Sequence, residues 1–376
     1  MKSKKAITAL LLVTTMMSGL LTACQQKPAE KKPTESKKEA ATEAKKADAT
    51  EGKKETDGKA MHIDVIAKGF QHQFWKAVEQ GANQAAKEFK VDITFQGPDN
   101  ESAISQQIEY LDAAIAKKPA AICLAALDTK ASLASIKNAQ SANIPIVGFD
   151  SGVPDAPKGA VKGNASTDNK AAGELAAVEM HKLIKDKLNS DKPVRIGVVA
   201  QESNSQSIVS RTKGFVDKMV ELLGKDQVSV EGHDSLKNEK AGAKFIIDVG
   251  IPAEVKDADA AAVASAILEK QDLIAIYGSN EFAANAIITA NEGLDKIGEG
   301  KVVAVGFDAG KKLLGAIKSK LFAGAVTQNP VQIGYQAVKL AVAAAKGEEV
   351  KDVDTGALWY NAENMADEKI APCLYE

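Results

Sequence analysis

The sequence VGFDSG at residues 147–152 returns almost unchanged as VGFDAG at residues 305–310. In each copy a short apolar run, typical of a buried strand, ends at an aspartate, Asp150 or Asp308. Ligands of open parallel sheets bind beyond the carboxyl ends of the strands, which is where both aspartates would lie. A strand-ending aspartate can also cap the next helix or turn. The repetition at equivalent positions favours two sheets that present matched acceptors to one ligand.

Short apolar runs alternate with amphipathic stretches of helical length on both sides of this repeat. In the first half the predicted strands are 63–67, 91–95, 120–127, 144–149 and 159–161, and the predicted helices are 74–89, 102–116 and 130–141. In the second half the predicted strands are 195–200, 244–249, 273–277, 302–307 and 323–327, and the predicted helices are 208–223, 258–269, 281–291 and 311–318. This alternation predicts an α/β fold with two doubly wound lobes, each built on a parallel sheet that is covered on both faces.

The amino-terminal region is typical of an exported lipoprotein. Lysines at residues 2, 4 and 5 precede an apolar run at 6–21, which leads into the sequence LTAC at 21–24. A leucine three positions before a cysteine, with small residues between them, is typical of a lipoprotein signal peptide. An ordinary secretory signal with a chance cysteine is the alternative, and the run is shorter than the ~20 residues of a membrane span. We expect residues 1–23 to be a signal peptide and Cys24 to be lipidated, which would place the chain outside the cytoplasm on the outer face of the cell membrane.

The segment after the cysteine has the composition of a tether. Residues 25–60 contain no apolar side chain larger than alanine, so they cannot bury enough surface to offset the entropy of ordering. Alanine, glutamate and lysine favour a helix, but two prolines and two glycines interrupt the stretch, and it has no apolar face to dock. We therefore predict a disordered tether over residues 24–60.

The charge and cysteine content exclude several classes of protein. The formal net charge is −2, whereas nucleic-acid binders present basic patches. Three cysteines give neither a disulfide framework nor a zinc spacing. Cys123 lies in an apolar run and is predicted to be a buried, inert thiol, while its pairing with Cys373 stays open.

The sequence offers little support for an enzyme. No glycine-rich dinucleotide motif follows a strand, and there is no P-loop or metal-binding histidine pair. Asp150 and Asp308 could form a catalytic carboxylate pair, as in glycosidases, but the export signal argues for a binding role. We expect a protein that is not an enzyme, with no cofactor, no metal and no catalytic residue.

Six segments, taken in their order and spacing, resemble those of a known family. They are KGFQHQFW at 68–75, IPIVGFD at 144–150, SRTKGF at 210–215, YGSNE at 277–281, VGFD at 305–308 and VTQNPVQIG at 326–334. Through them residues 61–376 resemble the periplasmic ribose-binding protein family, the sugar-binding components of ABC importers. A transcription factor of the lac-repressor type shares this architecture, but it would have a helix-turn-helix segment and no export signal.

The resemblance implies a type I periplasmic binding protein, in which two Rossmann-like lobes are joined by three hinge crossings. The crossings would fall near 166–168, 328–329 and 353–355. The first lobe would comprise 61–165 plus 329–353, and the second 166–328 plus 354–376. The implied partners are a monosaccharide or a related small polar ligand, and an ABC permease. The implied state is a monomer that closes its hinge on the ligand.

A sugar site needs flat aromatic groups against the ring faces and fixed hydrogen-bonding groups around the rim. The resemblance implies that these ligand-binding residues are Lys68, His72, Phe74, Trp75, Asp150, Arg211, Asn280, Asp308 and Gln328. Lys68 matches a ligand lysine of the allose-binding relatives, and His72 stands where the family usually has asparagine. Phe74 and Trp75 could instead belong to the core face of the first helix, and Arg211 to a surface ion pair.

Departures from the family pattern leave the sugar open. Ser151 stands where ribose binders have arginine, Gln73 replaces a proline, and an insertion around 231–256 leaves the second-lobe aromatic wall without a clear counterpart. The ligand could therefore be ribose, another pentose, a hexose, a polyol or an aminosugar. The segment VDITFQGP at 91–98 is similar to the autoinducer-2 receptors, so a lipoprotein that presents a ligand to a membrane sensor is the alternative function.

Overall fold

A computed structural model describes residues 61–376. The predicted signal peptide, the predicted lipidation at Cys24 and the predicted tether all lie outside the described residues. Among residues 61–376, no helix combines the length and the apolarity that crossing a bilayer requires.

Strands and helices alternate along most of the described chain. The strands are β1 (His62–Ile66), β2 (Asp92–Gln96), β3 (Ala121–Leu124), β4 (Ile146–Phe149), β5 (Val161–Ser166), β6 (Val194–Val199), β7 (Val228–Glu231), β8 (Phe245–Gly250), β9 (Leu273–Gly278), β10 (Val303–Phe307), β11 (Gly324–Gln328), β12 (Val353–Asp354) and β13 (Ala357–Tyr360). The α-helices are α1 (Gln73–Phe89), α2 (Ile104–Lys117), α3 (Leu133–Ser141), α4 (Asn169–Ile184), α5 (Gln206–Leu223), α6 (Asp257–Leu268), α7 (Glu281–Leu294), α8 (Lys311–Lys318) and α9 (Pro330–Ala345).

The strands form two sheets, and each sheet is the centre of one lobe. The first lobe contains a parallel sheet in the order β12-β5-β4-β3-β1-β2. The second contains the order β13-β11-β10-β9-β6-β8-β7, which is parallel except for β13 against β11. The central strands β3 and β4 are buried along their whole length, because helices cover both faces of the sheet. The predicted α/β class with two parallel-stranded lobes is confirmed.

The chain passes between the two sheets three times. It leaves the first sheet after β5 and enters α4, which packs against α5 and β10 of the second lobe. It returns after β11 through α9, which packs against α1 and the first sheet, and it crosses again between β12 and β13. At the crossings, Asp354 Oδ1 accepts hydrogen bonds from the backbone N of Asp168 at 3.0 Å and of Gly356 at 2.8 Å. The numerical boundaries of the lobes stay predictions.

Close helix crossings on glycine help to build the site. In the second lobe α4 and α5 approach so closely that a Cβ on Gly173 would lie 2.1 Å from the carbonyl oxygen of Arg211. A Cβ on Gly214 would lie 2.2 Å from the carbonyl oxygen of Lys170. Helices α1 and α9 cross on a glycine pair in the same way in the first lobe. The α4–α5 crossing brings Asn169 beside Arg211, which matters for the cavity described below.

Some elements differ from the sequence-based expectation. Periodicity did not predict β7, β12, β13, α4 or α9. Helix α4 is rich in alanine, so it buries a face without the stripe of large apolar residues that reveals an amphipathic helix. The insertion at 231–256 contains β8, as predicted, and a loop that leads into α6. Cys123 and Cys373 are both buried free thiols, so they do not form a disulfide.

Candidate functional site

A cavity lies between the two lobes, where the carboxyl ends of the parallel strands face each other. The empty space among its lining side chains, including the part that is open to solvent, is about 330 Å³. All nine side chains that the resemblance named line this one cavity: Lys68, His72, Phe74, Trp75, Asp150, Arg211, Asn280, Asp308 and Gln328. That they contact a ligand stays a prediction.

The first lobe brings a buried lysine between two carboxylates. Lys68 Nζ lies 3.5 Å from Asp150 Oδ2 and 3.8 Å from Glu101 Oε2, and all three residues are buried. Burial lowers the pKa of Lys68, but the charges of Asp150 and Glu101 outweigh it and shift the pKa upward. Lys68 therefore remains a cation whose ammonium hydrogens point among acceptors.

The aromatic pair serves both the cavity and the core. Phe74 and Trp75 line the cavity, and both are almost fully buried against the first sheet. Their rings meet edge to face with centroids 5.0 Å apart, and Trp75 also meets Phe149 at 6.3 Å. The pair thus belongs to the core, as one interpretation expected. A fixed ring can also offer an apolar surface to a ligand on its other side, and that role stays a prediction.

Glu101 connects the aromatic pair to the opposite lobe. Its Oε1 accepts a hydrogen bond from Trp75 Nε1 at 2.8 Å, and its Oε2 accepts one from Gln201 Nε2 of the second lobe at 2.9 Å. Burial raises the pKa of Glu101, but Lys68, His72 and the two hydrogen bonds outweigh it and shift the pKa downward. An ionised Glu101 thus orients the indole ring and links the lobes across the cavity.

Arg211 is held on several sides inside the second lobe. Its Nε and Nη2 donate to Asn169 Oδ1 at 3.1 and 2.7 Å, and its Nη1 donates to the carbonyl oxygen of Ser279 at 2.9 Å. The guanidinium lies 3.7 Å from the ring centroid of Phe307. With 2% of its surface exposed, Arg211 is not a surface ion-pair residue. Its planar fork is fixed beside Asp308, with Nη1 3.8 Å from Oδ2.

The acceptor Asp308 is fixed by its neighbours. Its Oδ1 accepts a hydrogen bond from Gln328 Nε2 at 2.7 Å, and its Oδ2 accepts one from the backbone N of Glu281 at 3.2 Å. Asn280 is the N-cap of α7 through its Oδ1, and its Nδ2 donates to Gln201 Oε1 at 2.6 Å. These contacts pre-organise the polar rim, which lowers the entropic cost of binding.

Three oxygens around the cavity are buried and have no hydrogen-bond partner within residues 61–376. They are Asp150 Oδ2, Glu281 Oε2 and Gln328 Oε1. A buried polar atom without a partner costs roughly 1–3 kcal/mol, so such atoms are rare and need an explanation. A polar ligand that presents hydroxyl groups to both lobes would form hydrogen bonds with these oxygens.

The structure adds four lining residues that were not predicted: Glu101, Ser207, Ile208 and Glu281. Ser207 and Ile208 precede Arg211 by four and three positions on α5, so helical spacing alone could have placed them on its face. Glu281 directly follows Asn280. Glu101 lies in the loop before α2, and no pattern in the sequence marked it.

The departures from the family pattern have a structural counterpart. Ser151 is fully buried, and its hydroxyl accepts a hydrogen bond from the backbone N of Ser207 at 3.3 Å, so it joins the lobes. Of the described residues, the cavity wall from the second lobe includes the aliphatic Ile208 and no aromatic side chain. His72 lies at the edge of the cavity, with its ring 6.2 Å from that of Phe282 in the opposite lobe.

Comparison with known proteins agrees with this architecture. Residues 63–349 match the family model described as periplasmic binding protein domain. An ABC transporter solute-binding protein from Agrobacterium vitis, solved with bound D-fucose, is 30% identical; the match covers 84% of this chain and 100% of that one, with a TM-score of 0.71. A Brachyspira murdochii structure titled "ABC transporter, LacI family transcriptional regulator" is 37% identical, covering 84% and 99% of the two chains, with a TM-score of 0.72. The ribose import binding protein of Bacillus subtilis is 22% identical over 352 residues, which is 93% of this chain and 95% of the relative. The chain belongs to the periplasmic binding protein family.

Proposed function

We propose that this chain is an extracytoplasmic, lipid-anchored binding protein that captures a monosaccharide, or a related polyol, and delivers it to the permease of an ABC importer. The observation that carries the proposal is the cavity between the lobes, where buried oxygens of both lobes that lack a hydrogen-bond partner within residues 61–376 lie beside an aromatic pair. The relatives named for ribose and for bound D-fucose support the ligand class.

The chemistry of the cavity suits a neutral, hydroxyl-rich ligand. Asp150 and Gln328 offer acceptors to hydroxyl hydrogens, while Lys68 and Arg211 offer donors to hydroxyl oxygens. Phe74 and Trp75 offer an apolar surface to the ring carbons. Because a sugar hydroxyl both donates and accepts, one monosaccharide can satisfy groups from the two lobes at the same time.

Binding across two lobes provides a mechanism for delivery. A ligand shifts a conformational equilibrium by its difference in affinity for the two states. Only a closed cleft lets Asp150 of the first lobe and Asp308 of the second contact one sugar, so the ligand favours closure about the three crossings. A permease that recognises the closed form would then receive loaded protein, and no bond of the sugar would be broken.

A thermal-shift screen of the full chain in mild detergent tests the proposal. The probes are D-ribose, D-allose, D-fucose, D-arabinose and autoinducer-2. A sugar at 100 times its Kd adds about 2.7 kcal/mol to the free energy of unfolding, and chromatography should recover that sugar unchanged. No shift with any sugar would contradict the proposal, and a response to autoinducer-2 alone would favour the sensing alternative.

A further inference from the structure

Glu281 lines the cavity, but the family resemblance did not name it among the ligand-binding side chains, although it ends the matching segment 277–281. It is the first residue of α7 and is 8% exposed. Its backbone N donates to Asp308 Oδ2 at 3.2 Å, while its own Oε2 is buried with no hydrogen-bond partner within residues 61–376. The side chain therefore lines the cavity with one carboxyl oxygen that no hydrogen bond within residues 61–376 satisfies.

The surroundings of this carboxyl disfavour a negative charge. Within the described residues, no lysine, arginine or histidine nitrogen forms an ion pair with Glu281. The titratable and charged groups on the elements around it are Glu101, Asp308, Tyr360 and Tyr375, then His72 and Arg211 across the cavity, and Lys256, Asp257 and Lys312 in the groove outside. The positive end of the α7 dipole favours ionisation, and so does the hydroxyl of Tyr375. Burial, and after it the charges of Asp308 and Glu101, outweigh these effects and raise the pKa of Glu281 to about 8.

We propose that Glu281 binds the ligand as a neutral carboxylic acid, whose hydroxyl donates a hydrogen bond to a ligand oxygen. This inference rests on the proposed function. It assigns different roles to neighbouring carboxyls: Asp308 is an acceptor fixed by Gln328, and Glu281 is a donor. The ligand must then present an acceptor oxygen to Glu281, such as a ring oxygen or a hydroxyl oxygen whose own hydrogen is donated to another group. A charged carboxylate at this position would repel that oxygen.

The pH dependence of binding distinguishes a neutral donor from a charged acceptor. If the protonated form alone binds, a pKa of about 8 predicts affinity about tenfold weaker at pH 9 than at pH 6. Calorimetry of the full chain in mild detergent, with D-ribose, D-allose, D-fucose and D-arabinose as probes, measures this ratio. In Glu281→Gln the ratio should be close to one, because the amide donates at every pH. In Glu281→Leu the affinity should be the same at both pH values and at least about tenfold weaker than that of the unmodified chain at pH 6.

His72 is another ionisable side chain that lines the cavity, so His72→Asn is the control, and it must keep the loss of affinity between pH 7.5 and 9. A purely structural role for Glu281 predicts equal losses in Glu281→Gln and Glu281→Leu. That result, or pH-independent binding by the unmodified chain, would overturn the inference while leaving the proposed function intact.

A second measurement needs no ligand. A carboxyl with a raised folded pKa is protonated in both states below about pH 4.5, and its contribution to stability is lost as the pH rises through the folded value. Urea unfolding should therefore show the unmodified chain losing stability relative to Glu281→Gln between pH 5 and pH 8. If the stability of the unmodified chain and that of Glu281→Gln changed with pH in the same way, the inference would be overturned. If no sugar bound, the proposed function would fail, and this profile would still report the state of the carboxyl.

Discussion

Asp150 and Asp308 occupy the same uncommon backbone conformation at equivalent places in the two lobes. Their φ angles are 56° and 72°, in the left-handed region that few non-glycine residues adopt and that aspartate tolerates. Each follows the phenylalanine that ends β4 or β10. The backbone N of Asp150 donates to the carbonyl oxygen of Ala165 at 3.0 Å, and that of Asp308 to Val326 at 2.7 Å, in each case on the adjacent strand. The repeat in the sequence is thus a repeat in structure, and it directs two carboxylates toward one cavity.

Replacement of the buried arginine should weaken sugar binding strongly. We expect Arg211→Ala to cost about 2 kcal/mol or more of binding free energy, since hydrogen bonds to charged groups contribute roughly 1.5–3 kcal/mol. Arg211→Lys should not restore binding, because an ammonium lacks the planar fork. Calorimetry on chains shown to be folded by circular dichroism measures both effects.

Arg195 provides the matched control for that experiment. It pairs with Glu231, Asp248 and Asp272 at 2.9–3.0 Å on the second sheet, and it does not line the cavity. Arg195→Ala should keep the affinity of the unmodified chain. Equal losses in both alanine variants would mean that Arg211 acts through the stability of the lobe.

The hydrogen bond between Glu101 and Gln201 should couple the two lobes during binding. Glu101→Ala, Gln201→Ala and the double variant form a double-mutant cycle, in which each variant removes one or both partners of the bond. Because the bond joins the lobes only when the cleft is closed, we expect the sugar affinities to show a coupling energy of about 1 kcal/mol. Losses that simply add would show that this contact does not assist closure.

Whether a site residue could be predicted from the sequence depends on what positions its side chain. Asp150 and Asp308 could be placed because parallel sheets bring the ends of their strands to one edge, whereas Phe74 and Arg211 were placed through the family resemblance. Glu101 could not be placed, since it reaches Trp75 and Gln201 from a loop whose position depends on the whole fold. The unpartnered state of Glu281 is likewise a consequence of packing, which local sequence does not encode.

The same distinction applies to the fold. Strands with β-branched runs, such as β6 and β10, were predicted because their patterns are strong. Helix α4 was not, because its alanines allow it to pack closely without a clear apolar stripe. Helix α9 was also missed, although Ile333, Val338 and Leu340 lie on its buried face. Both helices pack through close approach of their backbone to a neighbouring helix at glycine residues. The periodicity of apolar residues does not reveal such an approach.

Filling one of those glycine crossings should destabilise the second lobe. A Cβ at Gly173 would lie 2.1 Å from a backbone oxygen, so we expect Gly173→Ala to lower the free energy of unfolding by about 2 kcal/mol or more. Gly315→Ala on α8 is the control, because no neighbouring atom lies within 4 Å of its Cβ position. That variant should be stabilised by about 0.5–1 kcal/mol. Urea unfolding measures the free energy of both variants. A Gly173→Ala chain as stable as the unmodified chain would contradict the close crossing of α4 and α5.

Anchoring should depend on a single thiol. Cys24→Ala should release the chain from the membrane and leave sugar affinity intact, since the predicted tether contributes no cavity residue. Fractionation followed by mass spectrometry of the amino terminus measures both the location and the attached lipid. Equal membrane retention of the variant would contradict the lipoprotein prediction.

The central claim, that one sugar is held by matched aspartates of both lobes, is tested most directly by calorimetry of Asp150→Asn and Asp308→Asn. Asparagine tolerates the left-handed backbone, so these changes remove the charge and leave the fold. Asp295→Asn is the control, because Asp295 has a φ of 48° and lies at the exposed end of α7, away from the cavity. We predict one site per chain, at least tenfold weaker binding in each cavity variant, and unchanged binding in the control. Unmodified affinity in either cavity variant, with a sugar that the natural chain binds, would contradict the claim.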